Sequence, residues 1–342
     1  VDYDVIVAGA SFAGLTVAGG IRGDVLLIDR KEIGSLTTSA CGTFLKTLKE
    51  SSTMDSLRQV LPRVRFSTAT SKTEFVAPYP FCTFDYRVFC QSLAAGYKGD
   101  FLLAKVTGVE GDRVITDRGA FSARCLVDCT GWRAVLASAV DPHFVREENL
   151  GFAIETEIEG FQDEALHFFI DSSIIDRGLA WVFPAGRKAR FGVGSYVGEK
   201  ELLPYLREFV SRYGLSVGSV HGGHVPCGLR RAIAGHIFLV GDSAAQILPV
   251  SGEGIRQALF FGRKCASLIQ RVLDEEISRD TAQALYEGFV HEYRLAYDFL
   301  LRMQDWLVRA PNKRVRTLAA LFGPRPMAAF LQARYAKFMS LP

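Results

Sequence analysis

The sequence predicts an α/β fold: a Rossmann-like nucleotide-binding domain, split by an inserted antiparallel β-sheet and followed by C-terminal helices. Three observations carry the prediction. The chain opens on an apolar strand, a glycine turn and an apolar helix. Its middle alternates polar and apolar residues between Gly, Asp and Pro, and nearly everything after Ile255 has helical spacing. The 342 residues suffice for two domains. With 49% hydrophobic and 23% charged residues, the composition excludes a disordered, collagen-like or disulfide-stapled chain.

Taken in order, Val5 to Ala8 is an apolar run short enough for a buried strand. A glycine turn, a helix to about Gly20 and a second strand from Val25 to Ile28 complete a βαβ unit. Ile33 to Gly42 lacks periodicity and leads to a helix expected around Phe44 to Leu57. Val64 to Phe84 alternates loosely, with Pro78 and Pro80 indicating strands and a loop, and Tyr86 to Gly96 has helical spacing. Phe101 to Val127 reads as a three-stranded meander turning at Gly111-Asp112 and Arg118-Gly119. Gly151–Ile158, Ala165–Ile170, Leu179–Phe183 and Arg190–Val197 then read as one antiparallel sheet. A strand from Ile237 to Val240 ends in Gly241-Asp242, and Gly323-Pro324-Arg325-Pro326 sets off the last helix. The expected division gives 1–75, 86–147 and 222–275 to the nucleotide-binding part, 76–85 and 148–221 to a substrate-binding sheet, and 276–342 to a helical region.

Charge and cysteine content narrow the function. A net charge of +3 is too small to imply nucleic acid. Residues 291–342 carry nine Lys/Arg against three Asp/Glu, net +6, which leaves −3 for the rest. That basic end suits peripheral contact with a membrane surface, although a solvated helical face is the plainer reading. Seven cysteines, an odd number without metal-type spacing, suit the reducing cytoplasm. The longest uncharged run, Val5 to Ile21, contains four glycines and reads poorly as a membrane span. His221-Gly-Gly-His224 is read as turn-lining rather than as a metal pair, and His167 and His236 as core histidines. No metal is expected.

The chemistry sits in the turns. Gly9-Ala10-Ser11-Phe12-Ala13-Gly14 is a dinucleotide fingerprint with Ser11 in place of the middle glycine. Gly9 permits the tight turn, Gly14 lets the helix approach the strand, and the N–H groups from Ser11 to Ala13 face a pyrophosphate. Asp29, followed by Arg30 at the end of the second strand, can accept from ribose hydroxyls and would repel a 2′-phosphate. A tight turn that binds nothing is the bland alternative.

Gly241-Asp242-Ser243-Ala244-Ala245, ahead of Pro249, Gly252 and Gly254, resembles the late aspartate motif of the flavoprotein hydroxylase-like superfamily. Cys125-Leu-Val-Asp128-Cys-Thr130-Gly131 resembles its strand-ending Ala-Thr-Gly-like motif. Arg87 matches its FAD-contacting arginine, and Val106 falls where a backbone contact to adenine is usual. The resemblance spans residues 5 to 262 and implies one bound FAD. Asp242 would contact its ribityl chain or pyrophosphate, while Asp128 and Arg133 would hold the Gly131 turn.

Within that superfamily the chain is most similar to geranylgeranyl reductases. Ser251-Gly252-Glu253-Gly254-Ile255 matches their Gly-Glu-Gly-Ile pattern. Trp181-Val-Phe183-Pro184, then Gly192-Val-Gly194, fits their Tyr-x-Trp-x-Phe-Pro…Gly-x-Gly signature, with Leu179 where Tyr is common. Cys41-Gly42 matches the Cys-Gly pair they place beside the flavin, with Phe44 where a second Gly is usual. The resemblance implies hydride transfer from reduced FAD to a double bond of an isoprenoid or other apolar substrate, with NAD(P)H or ferredoxin as electron donor. It places Cys41 at the catalytic position and Trp181, Phe183, Pro184, Gly192 and Gly194 on the substrate wall. Twenty-five Phe against eleven Tyr suit such a wall. Taken singly, Trp181 and Phe183 read as core and Cys41 as a small buried residue. The competing function is an FAD-dependent monooxygenase or halogenase, and a non-enzymatic FAD or lipid carrier is the third reading.

Overall fold

A computed structural model describes residues 1–37, 39–309 and 313–314. Two eight-stranded sheets form it. In the first, Tyr3–Ala8 lies between Val25–Asp29 and Gly119–Asp128, parallel to both. Asp100–Leu103 and Ile237–Leu239 extend it in parallel on either side. Val, Ile and Leu fill these strands because both faces are covered. Val106–Glu110 and Arg113–Thr116 form a hairpin that runs into Gly119–Asp128, the expected meander.

Small residues let the helices Phe12–Gly19 and Ile255–Leu273 pack closely. A Cβ on Gly262 would meet Thr16 Cγ2 at 3.1 Å, and one on Gly20 would meet Ala266 Cβ at 2.9 Å. Phe12 stands edge-on to Phe84, Tyr86 and Phe89, which ties the first helix to Tyr86–Ala94.

The second sheet runs, in spatial order, Val220–Pro226, Leu150–Glu159, Lys188–Ser195, Gly178–Ala185, Ala165–Phe169, Leu57–Ser67, Lys72–Phe84 and Gly42–Phe44. Its pairings are antiparallel except one: Ala165–Phe169 lies parallel to Leu57–Ser67. That seam corrects the expected division. Leu57–Ser67 belongs to the second sheet, as do Gly42–Phe44 and the strand holding His221 and His224, which is no turn. The helix expected around Phe44 to Leu57 shrinks to Leu45–Glu50, since the chain must re-enter the sheet at Leu57.

The second sheet has two unlike faces. Ile154, Ala180, Val182, Phe191 and Val193 form the dry one, capped by Leu206, Phe209 and Val210 of the helix Leu203–Ser211, which sequence periodicity had not revealed. The alternate residues form the other face. It looks toward the Cys41-Gly42 loop.

Candidate active site

Glycine fixes the first turn. Gly9 has φ +105°, and a Cβ there would sit 2.1 Å from the Cys129 carbonyl oxygen. One on Gly14 would sit 1.7 Å from the Gly9 carbonyl oxygen. The strand, turn and helix thus close to a distance that excludes any side chain. The Ala10 N–H donates to Asp29 Oδ2 at 2.7 Å, and the Lys31 N–H to Oδ1 at 3.0 Å, which orients the carboxylate toward the turn. Arg30 is exposed beside it. Ser11 does not cap the helix; its hydroxyl lies 3.0 Å from Tyr86 Oη. Arg87, next in chain, is exposed, and Gly34 packs so closely that a Cβ would touch Arg87 Cα at 2.9 Å. Val106 opens the hairpin, half-buried.

The late motif meets this turn. A Cβ on Gly241, φ +69°, would meet Ala13 Cβ at 2.9 Å, and Asp242 Oδ1 is 3.8 Å from the Cβ position of Gly254. Burial pushes the Asp242 carboxyl up to about 6, against the pull of Arg230. Ile255 is buried at the start of the following helix. Asp128 organises the neighbouring loop, accepting from the N–H groups of Thr130, Leu136 and Ala137 and from the Ser243 hydroxyl. Arg133, expected to help, instead lies exposed over the Trp132 ring. The guanidinium that does the work is Arg230, unforeseen in the sequence. Its Nη1 donates to the carbonyls of Trp132, Asp242 and Ser243, and its buried Nη2 has no partner among the described residues. Arg230 stands seven residues ahead of the strand Ile237–Leu239, with no motif around it.

The Cys-Gly loop bridges the two sheets. Phe44 stacks on Phe81 with centroids 4.3 Å apart and lies under the Arg256 guanidinium, which is paired with Glu253 of the glycine loop. Gly42 faces Phe183, whose ring would be 2.8 Å from a Cβ there. Trp181 lies over Gly192, its ring 2.0 Å from the Cβ position, and 3.5 Å from that of Gly194. Gly192 therefore makes room for the indole, while Gly194 lies at ordinary contact distance from it. Phe183 and Trp181 continue through Phe168 to Phe66 as an aromatic row, while Pro184 accepts from Thr83 through its carbonyl.

Cys41 itself is buried at φ 54°. Its Sγ donates to the Ser39 carbonyl at 3.2 Å, and burial pushes the thiol far above the usual range, with Arg190 pulling the other way. It is a neutral thiol. Beside it lies a cluster that the sequence reading did not assemble. Glu155, 4% exposed, accepts from Arg190, 8% exposed, at 2.9 Å and from Trp181 Nε1 at 3.2 Å, and lies 2.8 Å from His221 Nε2. Arg190 also donates to the Ser39 carbonyl. His224 packs against Trp132 and Phe152, and His167 sits between Asp163 and Arg65. His236, expected in the core, is only half-buried, beside Asp112.

The residues fit an FAD on structural grounds. The turns of Gly9, Gly14 and Gly241 are closed to side chains, whereas Gly131 and Gly252, at φ +84° and +65°, have nothing within 4 Å of their Cβ positions. Open glycines beside a half-buried carboxylate and an orphaned guanidinium nitrogen form a cradle for a polar, elongated group. An open depression of about 680 Å³ lies elsewhere, at the amino ends of the parallel strands around Asp2, Asp24, Lys98 and Phe121. Among the described residues no group of His, Cys, Asp and Glu could hold a metal ion, and no helix is long and apolar enough to cross a membrane. The basic stretch toward residue 342 lies largely outside the described residues.

No family profile matches the chain. It is 24% identical to digeranylgeranylglycerophospholipid reductase 2 of Methanopyrus kandleri, over 93% of this chain and 90% of that one. Among solved structures, a geranylgeranyl bacteriochlorophyll reductase-like protein of Thermoplasma acidophilum superposes with a TM-score of 0.79 at 18% identity, over 99% of both chains. PqsL of Pseudomonas aeruginosa, a probable FAD-dependent monooxygenase, superposes at 0.68 and 14% identity, over 90% and 96%. The structural likenesses establish a shared fold.

Proposed function

We propose that this chain, similar in sequence to digeranylgeranylglycerophospholipid reductases, is a flavin-dependent oxidoreductase that reduces carbon–carbon double bonds of a polyprenyl lipid or quinone. One observation carries the reading: the aromatic row Trp181, Phe183, Phe168 and Phe66 lies on the sheet face that meets the Cys41-Gly42 loop, opposite the face sealed by its own helix. An apolar wall beside the cofactor turns suits an isoprenoid chain, which binds by desolvation at about 0.8 kcal/mol per buried methylene.

In this reading Gly9, Ser11, Ala13 and Gly14 take the pyrophosphate of FAD and Asp29 the adenosine ribose, with Arg30, Arg87 and Val106 alongside. Gly131, Asp242, Gly252, Gly254 and Ile255 hold the remainder. Bound and reduced, FAD supplies a hydride. The chain's own work is positioning and exclusion of water. Phe183 closes on Gly42, Trp181 is pinned by Glu155, and Cys41 offers a neutral S–H held by Ser39 rather than a thiolate. The electrons would come from an external reductant, NAD(P)H or ferredoxin, and the basic C-terminal end would bring the protein to the membrane surface.

The test is anaerobic. Reduced protein incubated with a geranylgeranyl lipid should yield product heavier by two hydrogens per bond reduced. A product hydroxylated or halogenated at the expense of oxygen would favour the monooxygenase-type neighbours instead. Cys41→Ser with unchanged reduction and normal FAD content would remove Cys41 from the mechanism.

A further inference from the structure

We propose that Tyr196 and Gln304 are positioning residues for the glycine loop Val250–Gly254, so that the C-terminal helix Arg294–Arg309 is part of the site. The inference rests on the FAD reading for its consequence and on geometry for its substance. Val250 has φ 71°. For a β-branched residue the left-handed region crowds the side chain against its own backbone, a strain that persists only where the surroundings impose it. Here both backbone groups of Val250 are taken by side chains from distant parts of the chain. Tyr196 Oη, just beyond the Lys188–Ser195 strand, donates to the Val250 carbonyl at 2.7 Å. The Val250 N–H donates to Gln304 Oε1 at 2.8 Å, and Gln304 is 3% exposed.

The loop then closes on itself, Leu248 N–H to the Glu253 carbonyl and Gly252 N–H to the Leu248 carbonyl. Gly252 faces open space and Gly254 lies beside Asp242. The direction in which Gly252-Glu253-Gly254 leaves is therefore set at Val250. One clamp comes from the second sheet and the other from the C-terminal helix. The loop is a junction of three elements, and the helix reaches the cofactor face through the Gln304 amide, with Tyr297 close to Glu253 and Arg256.

Amide hydrogen exchange over 248–254 in the FAD-free protein, followed by FAD titration, tests this. Gln304→Leu should speed exchange at the Val250 N–H about tenfold and raise the Kd for FAD about tenfold, the effect of one well-made hydrogen bond. Tyr196→Phe should raise the Kd similarly from the other side. In a Val250→Gly background, where positive φ needs no clamp, both substitutions should change the Kd by less than about twofold. Unchanged exchange in Gln304→Leu, or an equal rise in Kd with and without Val250→Gly, overturns the proposal. If the wild-type protein binds no FAD, the exchange result still decides the clamp, and only the cofactor reading falls. Should Gln304→Leu fail to fold, the same comparison with Tyr196→Phe, one oxygen smaller, decides it.

Discussion

The two halves of the site are made in opposite ways. In the nucleotide-binding half the geometry depends on missing side chains: Gly9, Gly14 and Gly241 let backbones meet at distances no Cβ would permit. In the second sheet it depends on matched side chains, with Glu155 held by groups from three other strands. The first arrangement should tolerate no added atom. The second should tolerate loss of a matched pair better than loss of one member.

The largest effect is expected from Gly14→Val, whose first added carbon lands 1.7 Å from a carbonyl oxygen. A loss of about 5 kcal/mol, or outright unfolding, should appear in urea denaturation. Next comes Glu155→Leu, which leaves the buried Arg190 to its longer pair with Glu157 and should cost about 3 kcal/mol. Adding Arg190→Met should recover part of that loss. A double variant as unstable as the sum of the two singles would show that the halves do not differ in this way.

The halves should also respond oppositely to acid. Burial holds His167 down at about 4, from an ordinary 6.5. Between pH 4 and 6.5 the unfolded chain therefore binds a proton that the native one refuses, and stability rises with pH. Asp242 stands at about 6 against an ordinary 3.8. There the native state holds the extra proton, so stability falls as pH rises from 4 to 6. Each contribution is about 3 kcal/mol. Asp242→Asn should stabilise the cofactor-free protein at pH 7 and leave it unchanged near pH 3.5, while His167→Gln should flatten the rise between pH 4 and 6.5. Thermal midpoints across pH measure both. The smallest effect is Trp181→Phe, which removes one donor to Glu155 and should cost about 1 kcal/mol.

The same contrast explains what the sequence disclosed. Turns built on glycine announce themselves locally, and Gly9-Ala10-Ser11-Phe12-Ala13-Gly14 and Gly241-Asp242 meet in space, as Gly241 against Ala13 shows. The alternating strands of the second sheet were legible for the same reason, since period two is a short-range signal. Glu155, Arg190 and His221 were not. Glu155 and Arg190 look like ordinary polar residues, and His221 like part of a turn, until the register sets Glu155 opposite both Gly192 and His221. Leu57–Ser67 was misplaced because membership of a sheet depends on its partner, and that partner lies a hundred residues on. Arg230 gave no signal, because what it grips is backbone carbonyl, which no side-chain pattern encodes.

The seam between Leu57–Ser67 and Ala165–Phe169 has a consequence for synthesis. A ribosome emitting this chain completes the hairpin Leu57–Phe84 long before the strand that covers its flank exists. In that interval an unpaired edge carrying Val64 and Phe66 stands open to any neighbour. Maturation must wait on a late arrival, and slow, concentration-sensitive assembly is what such long-range pairing dictates.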